Sequence, residues 1–257
     1  MRSPSRRVQF VSLLLFAMLV LPVLAFAGPH IRWDQCYGEA GALANKNFAC
    51  NTNTGSERLT VSCWSPDTMA YVTGYEFLVQ IASASASLPA WWQYKNTGTC
   101  RAVALTFNTT RDPVWAGCPI VAPSEFGNIA AYRTGEGGYS TTARLIGAAG
   151  VAPDAPFDID PADGEVFLFN LMISHTKTVG TGACAGCTIP VCLAIERMKY
   201  VGPNARFKSY SGSKNHDGEW FVSWQGGAGV VSGTGEGCPA AVPVRNATWG
   251  AIKTLYR

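Results

Sequence analysis

The stretch Gly164-Glu-Val-Phe-Leu-Phe-Asn-Leu-Met-Ile-Ser174, then Cys184-Ala-Gly-Cys187-Thr-Ile-Pro-Val-Cys192 and the run from Val191 to Val201, decides how the chain is read. Its first part is apolar at nearly every position. Strand side chains alternate, which puts Val166, Leu168 and Met172 on one face and Phe167, Phe169, Leu171 and Ile173 on the other. A strand with no wet face belongs in the middle of a sheet. A buried helix is the competing reading. Asp163-Gly164, a hairpin-turn signal, and the glycine-rich segment Val179-Gly-Thr-Gly182 favour the strand. Val191–Val201 then reads as the return strand, turning polar at Glu196, Arg197 and Lys199.

The three cysteines between these strands invite a redox or zinc reading, with His175 as a fourth ligand. The start of the chain argues for disulfides instead. Met1-Arg-Ser-Pro-Ser-Arg-Arg7 is basic, Val8 to Phe26 is apolar, and Ala25-Phe-Ala27 is a small-x-small cleavage site. That is the pattern of a signal peptide over residues 1–27. Residues 28–257 then read as a single exported β domain, with no membrane segment after removal of the signal. Loss of Arg2, Arg6 and Arg7 leaves 17 basic against 17 acidic side chains, so the sequence offers no basic face for nucleic acid.

An oxidising compartment turns nine cysteines into a bridge framework with one left over. Spacing pairs Cys36 with Cys50, a short loop whose closure adds about 3 kcal/mol by chain entropy. Cys100 pairs with Cys118 around an alternating strand, Arg101 to Phe107. For Cys184, Cys187, Cys192 and Cys238, spacing leaves two solutions open: Cys187 with Cys192 and Cys184 with Cys238, or Cys184 with Cys192. Cys63 alternates with Leu59 and Val61 on a core face, which makes it the expected odd thiol.

The rest of the chain is short alternating runs between glycine-rich turns: Ile31–Cys36, Arg58–Trp64, Ala70–Ala82, Gly127–Arg133 with Tyr139–Ile146, Arg206–Tyr210 and Glu219–Gln225. Trp220, Val222 and Trp224 share a face of the last run. Asn246 as N-cap, with Trp249, Ile252, Leu255 and Tyr256 at helical spacing, predicts one short C-terminal helix. The fold expected is all-β, a disulfide-stapled antiparallel β-sandwich, with jelly-roll and immunoglobulin-like strand order both open.

Catalytic motifs are wanting. The chain has no Gly-x-Ser-x-Gly elbow and no His-Glu-x-x-His. Of the three histidines, His30 lies just past the cleavage point and is expected to be mobile, His175 ends the central strand, and His216 falls in a turn. Glu76, Glu196 and Glu219 lie on expected strands, where a facing pair would suit glycoside hydrolysis. Asp154, Asp158, Asp160, Asp163 and Glu165 form an acidic cluster. Asp158, Asp160 and Asp163 are the candidates for an irregular calcium site, while Ala162 and Phe169 at ligand positions exclude an EF-hand. No other cofactor is expected. Trp91, Trp92 and Tyr94 are the densest aromatic patch and the candidate ligand-binding residues, as a stacking platform for sugars or as core.

Three segments carry a resemblance. Trp33-Asp-Gln-Cys36 with Asn47-Phe-Ala-Cys50-Asn-Thr-Asn53, the Cys184–Cys192 segment, and Trp249-Gly-Ala-Ile-Lys-Thr-Leu-Tyr-Arg257 together resemble a group of secreted bacterial β-rich proteins with no assigned activity. The resemblance covers about a fifth of the chain. It implies a bacterial, exported β protein and passes on no catalytic residue. The function expected is a structural or ligand-binding module whose partner is a polysaccharide or a cell-surface component. The alternatives are a carbohydrate-binding module using the aromatic patch, and a secreted hydrolase with an unfamiliar site.

Overall fold

The structure, a computed structural model, describes residues 27–95, 97–111, 117–120, 127–135, 140–202, 207–211, 220–229 and 238. The C-terminal helix expected from Asn246, the turn holding His216, Glu219 and all but the last residue of the expected signal peptide lie outside the described residues. The strands, in chain order, are β1 (Gly28–Trp33), β2 (Asn45–Lys46), β3 (Ser56–Trp64), β4 (Met69–Val72), β5 (Gly74–Ser83), β6 (Leu105–Asn108), β7 (Gly127–Thr134), β8 (Thr142–Gly150), β9 (Phe157–Ile159), β10 (Val166–Ser174), β11 (Val191–Val201), β12 (Phe207–Ser211) and β13 (Phe221–Trp224). The fold is an all-β sandwich of mainly antiparallel sheets, stapled by four disulfides.

One sheet has the order β1-β3-β10-β6. The other runs β2-β13-β11-β5-β8-β7, with β12 also on β11, and β4 and β9 form a separate pair. Their inner faces share one core. Leu59, Val61, Phe169, Leu171 and Ile173 come from the first sheet, and Phe77, Val79, Ile81, Leu193, Ile195 and Trp224 from the second. Burying each such side chain stabilises the fold by about 1.5–3 kcal/mol. Phe77 stacks on Phe169 with centroids 4.2 Å apart, and the Tyr75 hydroxyl donates to the Leu168 carbonyl at 2.7 Å, tying sheet to sheet.

β10 is the interior strand its composition demands, flanked by β3 and β6. Its side-chain phase differs from simple alternation. The register with β3 steps from Phe167 opposite Ser62 to Phe169 opposite Val61, a bulge at Leu168. Val166, Leu168, Phe169 and Leu171 therefore all reach the main core, while Phe167 turns away to pack on Cys36 and Cys118. The extra residue resets the two-residue period. β11 is not the hairpin partner of β10 either. It pairs with β5, β12 and β13 in the other sheet, because sixteen residues, not a tight turn, connect the two strands. The expected strand Ala70–Ala82 is likewise two elements. The chain breaks at Thr73, and a Cβ at Gly74 would lie 2.5 Å from the Ala149 carbonyl oxygen.

The bridges are Cys36–Cys118, Cys50–Cys187, Cys100–Cys184 and Cys192–Cys238. None is a pair expected from spacing. Cys36 lies with Phe167 in a satellite cluster, whereas Cys50 packs against the main core, so the short 36–50 loop cannot close. Cys184 and Cys187 sit on the loop between β10 and β11 and reach Cys100 and Cys50 from there, while Cys192 is on β11 itself. Cys63 is a buried thiol in none of the four bridges.

Candidate functional site

Two edge strands lie along one side of the sandwich. β6 ends the first sheet and β7 ends the second. Between them is a cleft of about 280 Å³ lined by Tyr94, Lys95, Leu105, Phe107, Tyr132 and Leu145, among others. Period-two alternation places these walls. Leu105 and Phe107 are the half-buried positions of β6, and Tyr132 is the half-buried position of β7, directly opposite Leu145 of β8. Tyr94 reaches the cleft from the short 3-10 turn Ala90–Trp92.

That turn holds the aromatic patch named from sequence, and the structure closes it. Trp91 and Trp92 are 0 % exposed and Tyr94 is 2 % exposed. As an open stacking platform the three rings are therefore corrected to core. Trp91 stacks on Trp224 at 5.2 Å, and Trp92 meets the same ring edge-on at 5.5 Å. Trp220 is split from its expected partners because it lies in the turn before β13, outside the two-residue period. Val222 and Trp224 point into the main core, and Trp220 packs outside it on Cys192 and Cys238.

Behind the cleft, Arg101 is buried and its guanidinium carbon lies 3.6 Å above the Trp91 ring centre and 5.3 Å from that of Tyr94. It donates to the carbonyls of Trp91, at 2.7 Å, of Thr176, at 3.1 Å, and of Ser174. Burial lowers the Arg101 pKa, and the Tyr94 phenol partly offsets this. Burial pushes the Tyr94 phenol well above its ordinary range, against the pull of Arg101. Tyr132 is raised too, by burial and then by Tyr94, and donates its hydroxyl to the Trp92 carbonyl. Among the described residues the Trp92 indole N–H has no hydrogen-bond partner, and the Tyr94 hydroxyl has none besides the Arg101 guanidinium beside it. The cleft thus joins half-buried aromatic walls, a cationic rim at Lys95 and a buried phenol set beside Arg101 at its back.

A larger hollow of about 450 Å³ lies over Gly74, Gly127, Ala148, Ala149 and Gly150. Its glycine and alanine floor is bordered by Tyr75, Glu76, Asn128 and Ile129, among others.

The other candidates take structural places. His30 is 2 % exposed within β1, its Nδ1 2.9 Å from Glu165, and is not a mobile residue past a cleavage point. His175 stacks on Phe48 at 4.0 Å, with Nε2 3.0 Å from Glu57 and Nδ1 2.6 Å from the Thr54 carbonyl. Glu57 and Asp34 both hold Lys46, at 2.8 and 2.7 Å. Burial works to lower the Lys46 pKa, but these two carboxylates outweigh it and hold it above its ordinary value. Glu76 pairs with Lys199 at 3.5 Å and Glu196 with Arg144 at 3.4 Å.

The acidic cluster is spread over caps. Asp158 accepts from the Tyr71 N–H at 2.8 Å. Asp160 accepts from the Ala162 N–H and the Thr68 hydroxyl, and Asp163 reaches back to the Asp160 N–H, a capping box on the turn Pro161–Asp163. Among the described residues, the group of metal-competent atoms within 4.8 Å of one another is Cys36, Glu39 and Cys118, whose two sulfurs form a disulfide. Sequence reasoning missed Lys95, Phe107 and Tyr132. The signal available for them was the alternation of the two runs around residues 105 and 132, without any cue that both are edges.

No known family and no curated protein matches the chain. Two solved structures are similar in outline. One is a cohesin module from a family 33 glycoside hydrolase of Clostridium perfringens ATCC13124, 8 % identical over 77 % of this chain and 93 % of that one, with a TM-score of 0.31. The other is the second type II cohesin module of the cellulosomal adaptor ScaA scaffoldin of Acetivibrio cellulolyticus, 8 % identical over 74 % and 92 %, with a TM-score of 0.33. At that distance the likeness assigns neither family nor function.

Proposed function

We infer that the chain is an exported β-sandwich binding module whose recognition site is the cleft between β6 and β7. The observation that carries this reading is the composition of that cleft: half-buried Phe107 and Tyr132, with Lys95 at the rim and the buried Tyr94 ring behind them. Ligand sites need placed polar groups as well as apolar surface, and the lining of this cleft combines the two, polar surface slightly outweighing apolar. Export is supported by the four disulfides, which persist outside reducing compartments. Among the described residues, no helix is long and apolar enough to cross a membrane.

A saccharide of a polysaccharide or cell-surface component is the ligand class we favour. Phe107 and Tyr132 supply rings for an apolar sugar face, and Lys95 and Thr97 supply donors for its hydroxyls. In this reading Trp91 and Trp92 support Tyr94 from behind and do not touch the ligand. The test is a glycan array followed by calorimetry on the intact secreted protein. Phe107→Ala and Lys95→Glu are expected to weaken binding by about tenfold or more while circular dichroism stays unchanged. Binding indifferent to both variants overturns the site. Hydrolysis that is lost on changing Glu76, Glu196 or Glu219 overturns the binding-module reading altogether.

A further inference from the structure

Sheet edges expose rows of unpaired backbone groups, and proteins blunt them with short strands, charges, proline, bulges or cover. Among the described residues most edges here are blunted. β2 has two residues, β6 four and β12 five, and β1 is buried along its whole length. β7 differs. It has eight residues, all exposed except the half-buried Tyr132, in unbroken register with β8. It contains no proline and no lysine, and Arg133 is its one charge. Ile129 is 72 % exposed on its outer face.

The hydrogen-bond phase of that edge is fixed. The Gly135 N–H donates to the Thr142 carbonyl at 3.0 Å, just beyond the Thr134–Ala143 pair. In an antiparallel ladder, alternate residues turn N–H and C=O to the same side. Odd-numbered residues of β7 therefore face β8. Asn128, Ala130, Tyr132 and Thr134 turn their backbone groups to the open side.

We propose that the chain associates with a second copy of itself through β7, the two strands antiparallel about a two-fold axis at Ala131. In that register Asn128 pairs with the second copy's Thr134, and Ala130 with its Tyr132. Every outward N–H and C=O of one strand meets a partner on the other. Moving the axis to Ala130 leaves Thr134 without a partner inside β7 and loses those bonds. The side chains agree with the same register. Ala131 meets Ala131 at the axis, where there is least room. Ile129 lies beside Arg133 of the other copy, whose aliphatic stem covers it, and the two Arg133 guanidiniums stay apart. An isologous contact of this kind joins the two large sheets into one. The inference goes beyond the cleft reading and does not depend on it, since ligand binding and self-association are measured separately.

The test is sedimentation velocity of the full secreted chain over a wide concentration range. A concentration-dependent dimer is expected. Ala130→Pro removes one outward donor and leaves the β8 ladder whole, because proline is tolerated where its nitrogen faces away from the sheet. It is expected to weaken association by about tenfold or more with an unchanged circular dichroism spectrum. Ala131→Cys is expected to cross-link to itself on mild oxidation, since the axis pair is a close, non-hydrogen-bonded one. Ile129→Cys alone is expected not to, but to cross-link when mixed with Arg133→Cys. A wild-type chain that stays monomeric throughout, a dimer indifferent to Ala130→Pro, or self-cross-linking of Ile129→Cys equal to that of Ala131→Cys each overturns the proposal.

Discussion

Arg101 carries its charge into the core with no carboxylate among the described residues to meet it. Three carbonyls and the faces of Trp91 and Tyr94 take that role. Truncation to Ala would leave those carbonyls unsatisfied and open a cavity beneath Trp91. Arg101→Ala is expected to lower unfolding free energy by about 3–5 kcal/mol in a denaturant titration. Arg101→Lys recovers only part, because an ammonium donates from a single nitrogen and cannot reproduce the planar spread of Nε, Nη1 and Nη2 over the three carbonyls. A loss below about 1 kcal/mol would show that the carbonyls find other donors. Buried phenols, here and beside Cys63, set an alkaline limit. Tyr75, Tyr94, Tyr132 and Tyr200 are all raised by burial. An unfolded phenol ionises near pH ~10, while these keep their protons when folded. The unfolded state then binds fewer protons, so stability is complete below that pH and falls as pH rises above it. Lys46, also raised, acts in the same direction. Tyrosinate absorbance from these four is expected to rise together with loss of the β signal. A rise well before unfolding would refute the assignment. The sequence shows the aromatic patch plainly but not its burial, because a Trp-Trp pair suits a platform and a core equally; what decides is Arg101, ten residues away.

At the scale of elements, most strands were legible from alternation alone: β3, β7, β10 and β11 lie where the periodicity puts them, while β8 overlaps the expected Tyr139–Ile146 run but continues to Gly150. Phase and partner were not. Nothing in Phe167-Leu168-Phe169 announces a bulge, since all three residues are apolar, and the reset became visible only against β3. Nothing in Val191–Val201 tells which sheet it joins. The loop between β10 and β11 is where the elements depend most on one residue. Gly186 has a positive φ of 101°, and a Cβ there would lie 2.2 Å from the Pro89 Cβ. The loop crosses so closely that the Trp91 N–H donates to the Ala185 carbonyl at 2.9 Å. Gly186→Ala is expected to cost about 1–3 kcal/mol in thermal or chemical unfolding and to loosen the aromatic turn. Its signature would be increased near-ultraviolet dichroism change before global unfolding. An unchanged melting profile would mean that the loop can move off Pro89.

For the molecule as a whole, the eight bridging cysteines were readable as a set but their partners were not. Spacing favours near neighbours, whereas a folded sandwich joins residues by place. The bridges span 82, 137, 84 and 46 residues. Non-reducing peptide mapping is expected to recover these four linkages. A peptide joining Cys36 to Cys50 would contradict the architecture itself. Loss of the Cys50–Cys187 bridge by double Ser substitution is expected to cost about 2–5 kcal/mol. The cleft belongs to this scale too. Its walls come from β6, β7, β8 and the turn before β6, and no segment of the chain contains it.

The interlacing of those bridges bears on how the protein is made. Cys36, Cys50, Cys63, Cys100 and Cys118 all emerge before Cys184 and Cys187, the partners of Cys100 and Cys50. A chain oxidised from its N-terminus onward would have Cys36 and Cys50 as immediate neighbours while the correct partner of neither is yet available. Thiols exchange through mixed disulfides, so early wrong bonds can be undone, but slowly without a catalyst. Where near neighbours bond first, correct maturation is a task of editing, since those bonds must later be broken. A host stripped of its disulfide isomerase, with its oxidase intact, should therefore yield oxidised but scrambled chains.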